Sequence, residues 1–157
     1  MTRNIILVLD ADADTAGAVA SVAAGVNCDI RFVRTSKDFF HFCHEDFENV
    51  AAIILDVDPG VHGMAILEAL DACENKPPII VVSGLEEYRL NSVVVQQHGA
   101  IACLGKPFSF LRLAHAVEEA LTLSAAAAPR CDVWGHIKTC SCTCTRTNAL
   151  PKLAQRN

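Results

Sequence analysis

The sequence predicts an α/β fold in which helices cover both faces of a doubly wound, five-stranded parallel sheet. Short apolar runs rich in Ile and Val recur at intervals of about 20–25 residues, and segments with helical spacing separate them. Strands that alternate with helices form right-handed βαβ units, and these units build parallel sheets. The predicted strands are residues 4–9, 28–33, 50–55, 78–82 and 100–104.

The character of each run indicates its place in the sheet. The first, third and fourth runs are apolar almost throughout, which is typical of central strands that are covered on both faces. The second run instead alternates Ile30 and Phe32 with Arg31. Because one face of this run is polar, we expect the second strand to lie at an edge of the sheet.

Each predicted helix starts or ends at a residue that suits a helix terminus. Ser and Thr side chains accept hydrogen bonds from the free N–H groups at the start of a helix, and glycine readily ends one. The first predicted helix is capped by Thr15 and ends at Gly25. The others are residues 37–45 after Ser36, 64–72 after Gly63, 86–98 before Gly99, and 110–123 after Ser109. Within 86–98, the apolar run 93–95 also suits a strand.

The regular pattern stops after Leu123, and this sets the predicted domain boundary. Residues 1–124 form the domain, and residues 125–157 form a tail that we expect to be poorly ordered. Two hypotheses remain for the thiols of the tail: a zinc site, or oxidation-prone groups in a disordered segment. The side chains concerned are Cys131, Cys140, Cys142 and Cys144, with His136 among them.

Composition and charge exclude several classes of protein. Residues 1–124 carry 17 acidic against 8 basic side chains, which argues against nucleic-acid binding by this part. The apolar runs fall far short of the roughly 18–20 residues that span a bilayer, and the N-terminus does not resemble a secretory signal. Single cysteines in apolar segments suit a reducing compartment. We therefore expect a cytoplasmic protein that binds neither nucleic acid nor membranes.

The polar residues that follow the apolar runs form the candidate site. In an open parallel sheet, ligands bind outside the carboxyl ends of the strands. Carboxylates from two adjacent strands suit a hard cation such as Mg²⁺, and a hydroxyl and a lysine beside them would neutralise a phosphoryl group. The acids after the first run also suit a simpler role, as negative charge near a helix N-terminus. The residues are Asp10, Asp12, Asp14, Asp56, Asp58, Ser83 and Lys106.

In order and spacing, residues 5–12, 53–56, 79–84 and 99–108 resemble the receiver domain of bacterial two-component response regulators, especially the single-domain chemotaxis regulator. The resemblance covers about residues 4–123 and implies a flavodoxin-like fold with strand order 2-1-3-4-5. It implies that Asp56 accepts a phosphoryl group, whose oxygens Ser83 and Lys106 bind, and that the peptide bond before Pro107 is cis. The candidate Mg²⁺ ligands are Asp10, Asp12, Asp56 and Asp58, with Asp12 as a replacement, through water, for the acid that is absent at Ala11.

Three departures from the family pattern make the acidic site atypical. Two consecutive acids usually follow the first strand, but the second is Ala11 here, so we expect weaker Mg²⁺ binding. The acceptor loop, residues 56–63, is one residue shorter than usual, which disturbs the carbonyl group that normally completes the metal site. The aromatic residue usually found three positions before the lysine is Cys103, so the signal from Ser83 to the outer face is missing or different.

Three functional hypotheses follow. The first is a phosphorylatable receiver, not an enzyme, that takes a phosphoryl group from a histidine kinase or phosphotransfer protein and switches protein–protein interactions. The second is a pseudo-receiver that binds proteins independently of phosphorylation. The third, an aspartate-dependent phosphatase of the haloacid-dehalogenase type, lacks its later acidic motif and its cap domain here. The resemblance places the target or homodimer surface on the fourth helix, fifth strand and fifth helix, around Gln96, Gln97, Cys103, Arg112 and His115.

Overall fold

The computed structural model describes residues 4–58, 62–84, 93 and 95–127, and within them it shows the predicted five-stranded sheet. Every pair of neighbouring strands is parallel, and the order is β2-β1-β3-β4-β5, so the predicted topology is confirmed. The strands are β1 (Ile5–Leu9), β2 (Asp29–Val33), β3 (Val50–Asp56), β4 (Ile79–Gly84) and β5 (Ala102–Lys106).

Helices pack on both faces of the sheet and divide the core into two layers. One layer joins the inward side chains of α1 and α4 to one face, and the other joins those of α2 and α3 to the opposite face. A short 3₁₀ turn, Phe47–Asn49, precedes β3. The helices are α1 (Ala13–Val26), α2 (Ser36–Asp46), α3 (Gly63–Asp71) and α4 (Phe110–Ala126). The helix α4 is the fifth of the predicted helices.

Burial along the strands agrees with the predicted positions. All seven residues of β3 are buried, as expected of a central strand that is covered on both faces. In β2 only Val33 is buried, and the strand lies at one edge of the sheet. The predicted edge position of this strand is thus confirmed, but its residues do not alternate in burial, because Phe32 is 39% exposed.

Both predicted termini of α1 are wrong, the first by three residues and the second by two. Asp12, not Thr15, caps α1: its carboxylate accepts a hydrogen bond from the backbone N–H of Asp14, whereas Thr15 lies buried in the first turn. Asn27, not Gly25, ends this helix, because Asn27 takes the left-handed conformation (φ 53°, ψ 45°). A short polar side chain two residues beyond the glycine thus supplied the terminus.

The second helix shows the same kind of shift, and the last helix does not. Thr35, not Ser36, caps α2, since the Thr35 hydroxyl accepts from the backbone N–H of Asp38 at 3.1 Å. The prediction for α4 is correct at its start, where Ser109 accepts from the backbone N–H of Arg112 at 3.2 Å. Its end lies at Ala126, beyond the predicted end at Leu123.

Several predictions fall on residues that the structure does not describe. In the predicted helix 86–98, residues 86–92 and 94 lie outside the described ranges, whereas residues 93 and 95–97 are helical and Gly99 follows with a positive φ of 78°. Most of the tail, with its four cysteines and His136, also lies outside, as do residues 59–61 of the acceptor loop. Among the residues described, no helix combines the length and apolarity that a bilayer crossing requires.

Candidate functional site

Four of the candidate side chains meet at the carboxyl edge of the sheet. Asp10 directly follows β1, Asp56 ends β3, Ser83 lies next to the end of β4, and Lys106 ends β5. Parallel strands bring their carboxyl ends to the same edge, which explains how residues nearly 100 positions apart become neighbours. Asp10, Asp56 and Ser83 are each at least 95% buried. The edge is therefore a polar site inside an otherwise apolar sheet.

The Lys106 ammonium group lies at the centre of the site. Its Nζ is 3.0 Å from Asp10 Oδ2, 3.0 Å from Asp56 Oδ2 and 3.6 Å from Asp58 Oδ2. The Asp10 and Asp56 oxygens that share it are consequently within about 6 Å of each other. The contact with Asp56 is a well-aligned hydrogen bond, whereas Asp10 Oδ2, which is buried, contacts the same ammonium group in an ion pair.

Each of the two buried carboxylates is also held by its own loop. Asp10 Oδ1 accepts a hydrogen bond from the backbone N–H of Asp12 at 2.8 Å, and Asp56 Oδ1 accepts from that of Asp58, also at 2.8 Å. Such turns fix the orientation of the carboxylate without help from other strands. The peptide bond between Lys106 and Pro107 is cis, as the resemblance implied.

Burial and neighbouring groups set the protonation of the site. Burial raises the pKa of Asp56 from 3.8 to about 6, although hydrogen bonds from the Asp58 N–H and from Lys106 oppose this rise. Burial alone would lower the pKa of Lys106, but its contacts with Asp56 and Asp10 outweigh that effect and raise it. At pH 7 the site therefore holds a carboxylate on Asp56 beside a charged Lys106.

The Asp58 carboxylate turns toward the end of β4. Asp58 Oδ1 accepts hydrogen bonds from the Ser83 hydroxyl at 3.1 Å and from the Gly84 backbone N–H at 2.6 Å. The sequence identified Ser83 as a donor but missed Gly84, because every residue except proline carries an N–H and only the fold shows which ones converge. Both donors of this strand end are thus bound to one carboxylate oxygen.

Gly63 is a second residue whose role the sequence did not show. A Cβ atom at this position would lie 1.8 Å from the backbone carbonyl oxygen of Asp56, far inside any contact distance. The start of α3 therefore packs against the backbone at the end of β3. Sequence reasoning used Gly63 only as a helix boundary, and no local signal distinguishes a glycine required for packing from one that ends a helix.

Comparison with known proteins identifies the family. The profile of the response regulator receiver domain matches residues 6–118, which is most of the chain. The chain belongs to the response regulator receiver domain family. A search among curated proteins found no match.

Solved structures of receivers share this fold. The receiver domain of NtrX from Brucella abortus is 23% identical with a TM-score of 0.65, and the match covers 74% of this chain and 98% of that one. Full-length FixJ from B. japonicum is 23% identical with a TM-score of 0.66, with 80% of this chain and 61% of that one covered. The match to the longer NtrX chain covers only 28% of that protein, also with a TM-score of 0.66.

The donor set of this receiver fits an oxygen-preferring cation. Asp10 Oδ2 is a buried carboxylate oxygen without a hydrogen bond, and Asp56 Oδ2 lies near it. Mg²⁺ keeps several water ligands and needs only one or two carboxylates plus phosphate oxygens. Within the described ranges, no set of three or more His, Cys, Asp and Glu side chains is arranged to hold a metal ion. The ligand set Asp10, Asp12, Asp56 and Asp58 stays a prediction.

Asp12 places its carboxylate at the N-terminus of α1, the simpler role that the sequence also allowed. Its side chain is exposed and caps α1 through Asp14, so one of its oxygens is already engaged. Ala11, where the family usually has an acid, is exposed at the same edge. The structure thus leaves Asp10 as the buried carboxylate of the β1 loop.

A groove of about 460 Å³ lies on the surface formed by β5 and the first turns of α4. Four of the five residues predicted for the partner surface line it, the exception being Gln97, which is exposed. Leu111 of α4 also lines the groove and is 77% exposed, and its neighbour Phe110 is 52% exposed. The residues shared with the prediction are Gln96, Cys103, Arg112 and His115.

Proposed function

We propose that this receiver accepts a phosphoryl group on Asp56 from a phosphohistidine of a histidine kinase or phosphotransfer protein and thereby switches its protein–protein interactions. The observation that carries the proposal is the hydrogen bond of 3.0 Å between Lys106 and the buried Asp56 carboxylate, with Asp10 at the same ammonium group. Here a nucleophile, a cationic group and a second carboxylate for metal binding occupy one edge of the sheet. In this proposal the protein is a cytoplasmic switch and not an enzyme.

The chemistry is an in-line displacement at phosphorus. A carboxylate oxygen of Asp56 forms a bond to phosphorus while the P–N bond of the phosphohistidine breaks, and the departing imidazole nitrogen keeps the electron pair. The product is an acyl phosphate on Asp56. Because the nucleophile is a carboxylate, no proton must leave it, so the reaction needs mainly positioning and neutralisation of charge.

The other residues of the site supply that neutralisation. Lys106 would pair with one phosphoryl oxygen, and the Ser83 hydroxyl would donate a hydrogen bond to another. Asp10 and Asp56 would hold Mg²⁺, which when bound offsets the negative charge that gathers on the phosphoryl oxygens. The buried position of Asp10 and Asp56 strengthens each of these electrostatic contacts relative to water.

The test is phosphoryl gain from acetyl phosphate in the presence of Mg²⁺, followed by intact mass spectrometry. We expect one phosphoryl group on the parent and none on Asp56→Asn. Lys106→Ala should lose the reaction as well, whereas Lys37→Ala, a change at an exposed lysine of α2, should leave it intact. Phosphoryl gain by Asp56→Asn, or none by the parent at any Mg²⁺ concentration, would contradict the proposal.

The pseudo-receiver remains the second candidate because of Ala11. This position carries no carboxylate, so one anionic metal ligand of the family pattern is absent. Ala11→Asp should then bind Mg²⁺ more tightly than the parent, which titration calorimetry measures. Equal affinity in the two proteins would show that another acid already supplies the missing metal ligand. The pseudo-receiver hypothesis would then lose its main support.

The partner surface is part of the proposal, and the groove beside β5 supports it. We expect a downstream protein or a second copy of the receiver to bind over Cys103, Arg112 and His115. Arg112→Glu should weaken that association in a sedimentation experiment with the phosphorylated protein, while Arg31→Glu on the distant edge strand β2 should not. Equal effects of the two changes would remove the surface from the proposal.

A further inference from the structure

The hydrogen-bond donors at the end of β4 are already occupied. Asp58 Oδ1 accepts from the Ser83 hydroxyl at 3.1 Å and from the Gly84 N–H at 2.6 Å, and Asp58 Oδ2 lies 3.6 Å from Lys106 Nζ. One carboxylate thus holds a hydroxyl, a backbone N–H and a cationic group at the same time. This is the donor set that an anion with several oxygens requires.

A phosphoryl group on Asp56 would need those same donors. The Asp58 N–H already donates to Asp56 Oδ1, so the two side chains start from one tight turn and point toward the same space. Lys106 is bonded to Asp56 Oδ2 and is therefore beside any group attached there. The Asp58 carboxylate consequently occupies the hydrogen-bond donors that the phosphoryl oxygens would need.

We propose that Asp58 is a built-in competitor of the phosphoryl group, a positioning residue whose carboxylate must leave Ser83, Gly84 and Lys106 before Asp56 can be phosphorylated. The proposal rests on the proposed function, because it concerns the rate of that same reaction. It differs from the sequence-based expectation that Asp58 assists by binding the metal.

Two physical effects make the displacement necessary. A carboxylate and a phosphoryl group are both anions, so within contact distance they repel each other strongly in a buried site. A donor N–H at 2.6 Å from a carboxylate oxygen also cannot serve a second acceptor well. The Asp58 side chain is 26% exposed, against 5% for Asp56, so it lies on the solvent side of the site and has room to swing outward.

The experiment compares rates of phosphoryl gain from acetyl phosphate at a Mg²⁺ concentration that saturates each variant. Asp58→Ala removes the competing carboxylate, and we expect a rate increase of about tenfold or more, equivalent to about 1.4 kcal/mol in the barrier. Asp58→Asn keeps the shape but not the charge, and should give a smaller increase. Asp29→Asn is the matched control, since it removes one exposed acid from the start of β2, at the opposite end of the strands from the site, and should change the rate by less than about twofold.

A spectroscopic measurement tests the contact without phosphorylation. An N–H close to a carboxylate has a strongly downfield proton resonance, so the Gly84 amide proton should move upfield in Asp58→Ala and stay in place in Asp29→Asn. Circular dichroism and urea unfolding of each variant check that the fold is intact. An unmoved Gly84 resonance in a folded Asp58→Ala protein would overturn the proposal.

The rate measurements separate this inference from the function on which it rests. If the parent gains phosphate and Asp58→Ala is no faster, or is slower as a lost metal ligand would make it, only the competitor role is wrong. If neither protein gains phosphate, the proposed function is wrong and the competitor role with it. If only Asp58→Ala gains phosphate, the competitor role stands, and the proposal that the parent itself accepts a phosphoryl group is wrong.

Discussion

Replacement of Lys106 by methionine tests the electrostatics of the site most directly. The variant keeps much of the side-chain volume but removes the charge that Asp10, Asp56 and Asp58 share at 3.0, 3.0 and 3.6 Å. Two of these carboxylates are almost fully buried. Their charges would remain in the protein without the group that offsets them.

The expected size of the effect follows from those distances. At an effective dielectric constant near 20, one pair at 3.0 Å has a gross attraction of about 5 kcal/mol. Part of this is offset in the parent by the desolvation of Lys106, so we expect a net loss of about 3–5 kcal/mol in the free energy of unfolding at pH 8. Lys37→Met, at an exposed position of α2, should change it by less than about 0.5 kcal/mol.

The loss should depend on pH with a definite sign. The pKa of Asp56 is raised from 3.8 to about 6 in the folded parent, so the folded state holds the proton of Asp56 more tightly than the unfolded state does. The resulting stabilisation is complete below pH 3.8, the pKa of the unfolded state, and is lost as the pH rises through 6. Without Lys106 its pKa rises further. The deficit of Lys106→Met should therefore grow between pH 5 and pH 8, measured by urea unfolding with EDTA present. A deficit that is equal at both pH values, or a variant more stable than the parent, would refute this reasoning.

Three further predictions concern the rest of the fold. Gly63→Ala should lose about 1–3 kcal/mol of stability in urea, because its Cβ would collide with the Asp56 carbonyl oxygen; an unchanged midpoint would contradict the packing. Asp71→Asn should lower the free energy of unfolding by about 0.2–1 kcal/mol at pH 6, because the hydrogen bond from Lys76 at 2.8 Å lowers the pKa of Asp71. This difference between variant and parent should vanish as the pH falls through the lowered pKa. Burial raises the pKa of the Cys43 thiol, so iodoacetamide should alkylate Cys43 only after unfolding, as peptide mass mapping would show; modification of the native protein would contradict this.

The topology could be predicted because burial on both faces leaves a direct mark on the sequence. A strand covered by helices on each side has no solvent-facing positions, so β3 reads as an unbroken apolar run. The edge strand β2 is covered less completely and so tolerates the exposed Arg31, although Phe32 beside it is also 39% exposed and only Val33 is buried. Because parallel strands share one carboxyl edge, the order of Asp56 and Lys106 after their strands also predicted their contact.

Helix termini were less predictable because several neighbouring residues can perform the same task. Thr35 and Ser36 both have a hydroxyl group that can cap a helix, and the backbone of α2 selects Thr35. Asn27 competes with Gly25 for the end of α1 in the same way, since both residues tolerate helix termini. Such choices depend on where the helix meets the sheet, and this is a tertiary effect.

The interactions of Asp58 could not be predicted, because they depend on a side-chain direction that no sequence pattern specifies. Its carboxylate could have faced Asp10, where it would bind a metal, but it faces Ser83 and Gly84 instead. The family pattern places a second acid at the position of Ala11, so this chain lacks one carboxylate beside Asp10. It carries another, that of Asp58, beside the hydrogen-bond donors of Ser83 and Gly84. Under the two proposals made above, Mg²⁺ binding and phosphoryl binding are weakened by separate residues. Ala11→Asp should restore the first and Asp58→Ala the second, and the double variant should show both gains, because the two changes act on different steps.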